Sequence, residues 1–217
     1  ELLSVPFVRS NVFFNKQDAL KWADTTNYPV VFKLRRGAGS FNVKLLKSKA
    51  NARRIINSAF GRGFSNYNAS SALMEIFRKR RLKKATNYDL LKGIARLFFL
   101  PEFVKVTGRE VDYVYFQEFI KDNVFDIRVI VIGDKAFAIK RMVRDNDFRA
   151  SGSGSILYAK EHFDLETIQL AFKVSEKLKS QCTAFDFLYK NGQPLIIEIS
   201  YGFDPLGYDA CEGYWNK

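Results

Sequence analysis

The chain has a single histidine, His162, and two cysteines, Cys182 and Cys211, among 217 residues. An imidazole or thiolate zinc site needs three or four ligands, and no CxxC is present, so such a site is nearly excluded. A Ser-His-Asp triad would have to run through His162, in Lys160-Glu161-His162-Phe163, where a surface or helix-entry histidine is the simpler assignment. Two cysteines fit a reducing compartment. No run of 18 or more apolar residues occurs, so no segment is expected to span a membrane, and no signal peptide is visible. The expected setting is cytoplasmic. The first residue is Glu1 rather than Met, which points to a fragment or a processed product. Acidic side chains are scarce in the first half. Residues 1–109 hold 22 basic and 6 acidic residues, net +16, whereas residues 110–217 hold 13 and 17, net −4.

What is present is a large apolar fraction. The chain is 47% hydrophobic, with 21 Phe and 10 Tyr, enough for a sizeable core and too much for a disordered tail or a disulfide scaffold. The net charge of +12 brings nucleic acid or another polyanion to mind. The uneven split suggests something narrower: an anion held between a basic and a slightly acidic half, with a metal on the acidic side.

Periodicity predicts strands over 29–35 and 42–47, joined by the turn-rich Arg36-Gly37-Ala38-Gly39-Ser40-Phe41. Ser48 can cap a helix to about Phe60, and residues 61–69 read as a loop. Helices are expected over roughly 70–84, which runs into the basic stretch 78–84, and over 87–99. Strands follow at 112–120, 125–132 and 135–142, the last two joined by Gly133-Asp134 as a hairpin. Asp164 can cap a helix to about Ser180. Residues 183–189 and 195–200 read as a strand pair around Lys190-Asn191-Gly192-Gln193-Pro194.

Two features carry chemistry. Gly37 and Gly39 allow backbone N–H groups to cradle phosphate, with Lys33 at the end of the preceding strand, although an ordinary hairpin turn has the same composition. The loop joins two strands, so neither the P-loop nor the Rossmann fingerprint fits. Asp186 and Glu198 sit on consecutive apolar strands, where a carboxylate is costly unless it is paired or binds a cation. A two-residue Asn191-Gly192 loop would put Asp186 opposite Ile197. Only an odd-length loop or a bulge puts it opposite Glu198. Ser200 shares the face of Glu198. Two carboxylates and a hydroxyl are hard oxygen donors suited to Mg2+ or Mn2+; the alternative is ion pairing with lysine or arginine.

In order along the chain, Val-Val-Phe-Lys33 with Gly-Ala-Gly-Ser, Gln117-Glu118-Phe119-Ile120, Asp126-Ile-Arg128-Val-Ile-Val-Ile-Gly133-Asp134-Lys135, Asp147-Phe-Arg149-Ala-Ser151, and Phe185-Asp186-Phe-Leu with Pro194-Leu-Ile-Ile-Glu198-Ile-Ser200 resemble the ATP-grasp superfamily. Within it they are most similar to the carboxylate–amine ligase branch that includes the ribosomal-protein glutamate ligases. The resemblance covers about residues 29–203. It implies an α+β fold, with two α+β subdomains clamping the nucleotide between antiparallel sheets. The subdomains would be 1–111, with the glycine-rich loop and a basic helical insertion at about 53–110, and 112–217, with the metal carboxylates.

By the same resemblance, ATP and Mg2+ (or Mn2+) are the cofactors. Lys33 and Gly37, Gly39 and Ser40 would meet the phosphates. Gln117, Glu118, Phe119 and Ile120 would form the adenine hinge, with Asp126 near the nucleoside and Ser151 also in the nucleotide site. Arg141 and Arg149 would act at the γ-phosphate or acyl-phosphate, and Asp186, Glu198 and Ser200 would bind the metal. The implied reaction is activation of a carboxylate as an acyl-phosphate for attack by an amine or other nucleophile, within a larger biosynthetic enzyme. Polysaccharide tailoring at the cell surface is one such setting. The family usually has Asn where Ser151 and Ser200 stand, so a nucleotide-binding scaffold without turnover is one alternative. A polyanion or nucleic-acid binding module using residues 78–84, Lys44, Lys47, Lys49, Arg53 and Arg54 is the other. The expected partners are ATP, a carboxylate and a nucleophile, one of them anionic; nucleic acid is not the leading expectation.

Overall fold

The computed structural model describes residues 5–35, 42–65, 73–74, 76–77, 80–81, 86–98, 108–144, 147–152 and 154–217. The loop with Gly37, Gly39 and Ser40 lies outside them, as do most of the basic stretch 78–84 and residues 66–72 and 99–107. The chain divides into two compact units. One is Ser10–Gln117; the other is Glu118–Lys217 together with the segment ending at Arg9. The division falls six residues beyond the 111/112 boundary read from sequence, because the strand Val114–Glu118 pairs back onto Ser10–Phe13.

In the Ser10–Gln117 unit, β1 (Ser10–Phe13), β6 (Val114–Glu118), β2 (Val30–Lys33) and β3 (Lys44–Leu46) form one sheet in that order. Val30, Val31 and Phe32 are all buried, as expected of a strand covered on both faces. Two helices pack here. Asn15 caps α1 (Lys16–Thr25) through its side chain. Ser48 caps α2 (Lys49–Ala59), its Oγ accepting from Asn51 N at 3.3 Å. Ala19, Ala23, Ala52, Ile55, Ile56 and Ala59 meet Phe32, Val114 and Phe116 in the core, and Trp22 stacks on Phe116 at 4.6 Å. A short antiparallel pair joins β4 (Phe64–Ser65), within the stretch 61–69 expected to be loop, to β5 (Arg109–Glu110). The helix α3 spans Asn87–Phe98. Of the stretch 70–84, the described residues 73–74, 76–77 and 80–81 are helical.

The second unit is a sheet ordered β11 (Gln193–Ser200), β10 (Cys182–Lys190), β7 (Phe125–Ile132), β8 (Lys135–Met142), β12 (Trp215–Asn216), with β9 (Ile156–Leu157) also on β8. The pairs within it are antiparallel. The incoming segment joins it: Val8 N donates to Ile196 O and Ile196 N donates to Pro6 O, each at 2.9 Å. Asp164 caps α4 (Leu165–Leu178), its Oδ1 accepting from Thr167 N at 2.7 Å.

Strand alternation then sorts the side chains. Ile127, Val129, Val131, Phe185 and Phe187 point to one face and pack with Ile168, Ala171 and Phe172 of α4. Complete burial of Phe185 and Phe187 contributes about 1.5–3 kcal/mol each. Asp126, Arg128 and Asp186 sit at the intervening positions and share the opposite face.

Candidate functional site

The face away from α4 carries charge that the register assembles. Asp126 lies across from Arg141, and Arg128 across from Asp186. Arg128 grips Asp186 with both arms, Nε to Oδ1 at 2.5 Å and Nη2 to Oδ2 at 2.6 Å. Arg141 grips Asp126 in the same way, at 2.6 Å for each bond, and its Nη2 also lies 3.1 Å from Asp186 Oδ2. Arg141, Asp126 and Asp186 are buried, with side chains 7–8% exposed. Two guanidinia and two carboxylates thus form one continuous network, which such burial requires if it is not to leave an unpaired charge.

The electrostatics follow. Burial would raise the Asp186 carboxyl, but Arg141 and Arg128 outweigh it and hold it down at about 2. Asp126 is pushed up to about 6, by burial first and by the Asp186 charge as well, with Arg141 opposing. Burial acts to lower both guanidinium groups, yet their carboxylate partners raise them, so both stay charged. Arg128 and Arg141 each use Nε and Nη2 in these bonds. Among the described residues their Nη1 groups have no hydrogen-bond partner, which leaves two fixed cationic edges beside the network.

Glu198 completes the row. The β10–β11 loop is the two-residue Asn191-Gly192, both at positive φ, and the register begins as Lys190↔Gln193. It then shifts between Phe187↔Ile196 and Asp186↔Glu198. Ile197 is the extra residue of a β-bulge, and that bulge puts Glu198 opposite Asp186. Glu198 is exposed, and Ser200 Oγ donates to its Oε1 at 3.1 Å. Among the described residues no group of three or more acidic, histidine or cysteine side chains could hold a metal. The donors are two carboxylates and one hydroxyl, and Asp186 already gives both oxygens to Arg128. A carboxylate oxygen has a second lone pair, so the donor chemistry is compatible with a hard cation such as Mg2+ or Mn2+, toward which Glu198 would be the accessible carboxylate.

The other sequence-derived candidates have surroundings of their own. Lys33 ends β2. Gln117 is buried and donates to Ser10 Oγ at 3.1 Å and to the Tyr115 hydroxyl at 3.2 Å. Glu118 pairs with Lys190 at 2.5 Å, and its backbone N–H goes to Arg9 O. Phe119 meets Phe148 edge-on at 5.9 Å, and Ile120 is buried. Arg149 is held by Asp147 at 2.6 Å, while the Ser151 carbonyl accepts from Arg144 Nε at 2.8 Å.

The network adds Arg128, whose place across from Asp186 depends on the pairing of β7 with β10. It also adds Tyr208, whose hydroxyl is the buried side-chain polar atom without a hydrogen-bond partner among the described residues. Burial pushes the Tyr208 phenol up, and Arg128, Asp186 and Arg141 act on it electrostatically. Nothing in the sequence around Pro205-Leu206-Gly207-Tyr208 signalled that proximity.

This architecture is the ATP-grasp fold, shared with solved structures of low sequence identity. It is similar to a biotin carboxylase from Campylobacter jejuni solved as a β-γ-ATP complex, with TM-score 0.54 and 17% identity, covering 92% of this chain and 37% of that one. The biotin carboxylase domain of Hydrogenobacter thermophilus 2-oxoglutarate carboxylase, solved with MgADP and bicarbonate, gives 0.53 and 15%, with the same coverage. The ATP-grasp ligase PsnB, complexed with a precursor peptide and AMPPNP, gives 0.51 and 13%, covering 95% and 48%. Within that class, residues 103–204 match the RimK-like ATP-grasp domain. The chain spans 57% and 48% of the first solved structures it resembles, about half their length. No curated protein is significantly similar to it in sequence.

Proposed function

We propose that the chain is an ATP- and Mg2+-dependent ligase domain that activates a carboxylate as an acyl-phosphate for attack by an amine or other nucleophile. The observation that carries this reading is the bulged register that sets Glu198 opposite Asp186, in the same row as Arg128 and beside Arg141. Glu198, with Asp186 and Ser200, would hold the metal, which when bound supplies charge neutralisation for phosphoryl transfer. Arg141 and Arg128 have their planes fixed by carboxylates on one side. Their unused Nη1 edges are cationic donors that need no reorganisation when charge develops on a transferring phosphoryl group. In-line phosphoryl transfer asks little else of a protein than positioning and charge stabilisation. Lys33 and the 37–40 loop are the proposed phosphate contacts. Gln117, Glu118, Phe119 and Ile120 are the proposed adenine hinge, with Asp126 and Ser151 assigned to the same nucleotide. Arg149 is assigned to the acyl-phosphate.

The test is thermal unfolding with about 1 mM ATP–Mg2+. A ligand present at 100 times its Kd stabilises by about 2.7 kcal/mol, roughly 5–10 °C for a chain of this size. Lys33→Ala or Glu198→Ala should abolish the shift. No shift in the folded wild-type chain would overturn the reading. ADP release with a panel of carboxylic acids and amines then separates a ligase from a scaffold that binds nucleotide without turnover.

A further inference from the structure

The Ser10–Gln117 unit has a feature that the proposed reaction does not use. Beside the exposed side of α2 lies a cavity of about 1140 Å3 lined by Arg53, Arg54, Arg62 and Arg109, with Asn57 and Phe64. One carboxylate is at hand, Asp24, and it is taken by Arg53 at 2.8 Å and by Lys49 at 3.1 Å. Among the described residues the side chains of Arg54 and Arg62 have no hydrogen bond or ion pair.

Four guanidinia around one cavity repel one another, and a merely solvated face would let them spread. Here the fold gathers them. Gly63 has φ +64°, and a Cβ there would stand 2.3 Å from Val111 Cγ1 and 2.4 Å from Glu110 O. Only glycine lets the Gly61-Arg62-Gly63 turn lie against β5, the strand that brings Arg109. Arg109 then donates Nε to Arg62 O at 2.5 Å and Nη2 to Gly63 O at 2.7 Å. Gly63 N caps Ser58 O at 2.7 Å. A helix C-terminus normally disfavours anions through its unpaired carbonyls. At the end of α2, Gly61 N and Gly63 N donate to Ser58 O and Asp112 N donates to Ala59 O, while Arg109 donates to the turn carbonyls of Arg62 and Gly63, so the cavity keeps the positive sign of its arginines.

We propose that this cavity binds a ligand bearing two or more phosphate groups. Its lining cations are arginines, whose planar fork matches phosphate oxygens two at a time. Four of them exceed what one phosphate can engage. The volume is above the roughly 300–1,000 Å3 of ordinary small-molecule pockets, which suits an oligophosphate or a stretch of nucleic-acid strand. Phe64 offers a ring face to a base in the second case. None of these residues belongs to the set assigned to ATP.

The experiment is calorimetric titration of the full chain at low salt with sodium tripolyphosphate and, separately, with a single-stranded RNA of about 12 nucleotides. The wild-type chain should bind at least one of them at one site. Arg54→Ala/Arg62→Ala should weaken that binding about 100-fold or more, since each substitution removes hydrogen bonds to a charged group. Both side chains are exposed, so the fold should persist, as circular dichroism will check. Arg109→Lys keeps the charge but loses the bonds to Arg62 O and Gly63 O that hold the turn, and should weaken binding about tenfold.

Tripolyphosphate binding assigns a small polyphosphorylated ligand; binding of RNA alone assigns a strand. The double variant should keep the ATP–Mg2+ thermal shift, while Lys33→Ala should lose that shift and keep probe binding, so failure of either proposal is read separately. Absence of binding, or probe affinity unchanged in Arg54→Ala/Arg62→Ala, overturns the proposal. So does tricarballylate binding as tightly as tripolyphosphate, because the site would then not select phosphate.

Discussion

Asp186 is held by more partners than its neighbours, and the consequences separate it from them. Arg128→Ala removes its bidentate partner and leaves a buried carboxylate with Arg141 alone. Breaking a buried pair costs about 3–5 kcal/mol. The Arg128 side chain is 21% exposed, so a value near the lower end is expected. Arg149→Ala removes a more exposed pair, Arg149–Asp147 at 31% and 17% exposure, and should cost under about 1 kcal/mol. Urea unfolding of both variants measures the contrast; equal costs would remove the network from the stability argument.

The same carboxylates set a pH dependence. Asp186 has a depressed folded pKa, about 2. The stability it contributes is present above its ordinary value near 4 and is lost as pH falls towards 2. Asp126 is raised to about 6, so its contribution is present below about 4 and is lost as pH rises through 6. Asp126→Asn should therefore flatten the melting temperature between pH 4 and pH 7 relative to wild type. Identical profiles for the two proteins would contradict the raised Asp126.

At the scale of elements, the β10–β11 hairpin shows how a single residue sets the site. The turn enforces a two-residue loop, and without correction that register puts Ile197, not Glu198, across from Asp186. Deleting Ile197 removes the bulge. Ile196 and the residues before it keep their partners, including the buried contact of Ile196. Beyond it, Glu198 follows Ile196 directly and meets Asp186 in a regular ladder, so Glu198 and Ser200 keep their face. The deletion variant should fold with a stability loss of about 1–3 kcal/mol. It should keep the ATP–Mg2+ thermal shift, because the pairing of Glu198 with Asp186 survives. A lost shift would mean that the bulge itself, and not only that pairing, is needed for binding.

That hairpin also marks what the sequence can reveal. The strands 125–132 and 135–142 are legible to the residue because alternation and Gly133 agree. The capped helices after Ser48 and Asp164 are legible because cap and apolar period coincide. The bulge is not, since Ile197 and Ile199 look alike in a run of apolar residues. Nor is α1, whose buried positions are only Ala19 and Ala23, too small to make a periodic apolar stripe. Arg128 stands in one of the motifs that carry the resemblance and Arg141 among the residues the resemblance assigns a role, but their shared hold on Asp186 depends on pairing between strands 58 and 45 residues apart in the chain.

For the whole molecule, the charge asymmetry follows the structural division more closely than it follows the halves of the sequence. Ser10–Gln117 carries 21 basic and 7 acidic residues, net +14; the other unit carries 14 and 16, net −2. A charge of +14 on about half the chain destabilises it by self-repulsion. The ion pairs that could offset this in the same unit are exposed ones such as Asp24 with Lys49 and Arg53, which contribute little and weaken with salt. Screening should therefore stabilise on balance. Raising NaCl from about 20 to about 300 mM shortens the Debye length from roughly 20 Å to under 10 Å, and the melting temperature should rise by a few degrees in scanning calorimetry. Arg54→Glu/Arg62→Glu lowers the unit to +10 and should shrink that rise. Inorganic phosphate at equal ionic strength stabilises folded chains more than chloride by exclusion alone; if the arginine cavity gathers phosphate as proposed, that excess should be larger in the wild-type chain than in the double variant. A melting temperature that falls with NaCl would mean that exposed ion pairs, not self-repulsion, govern the electrostatics of the fold.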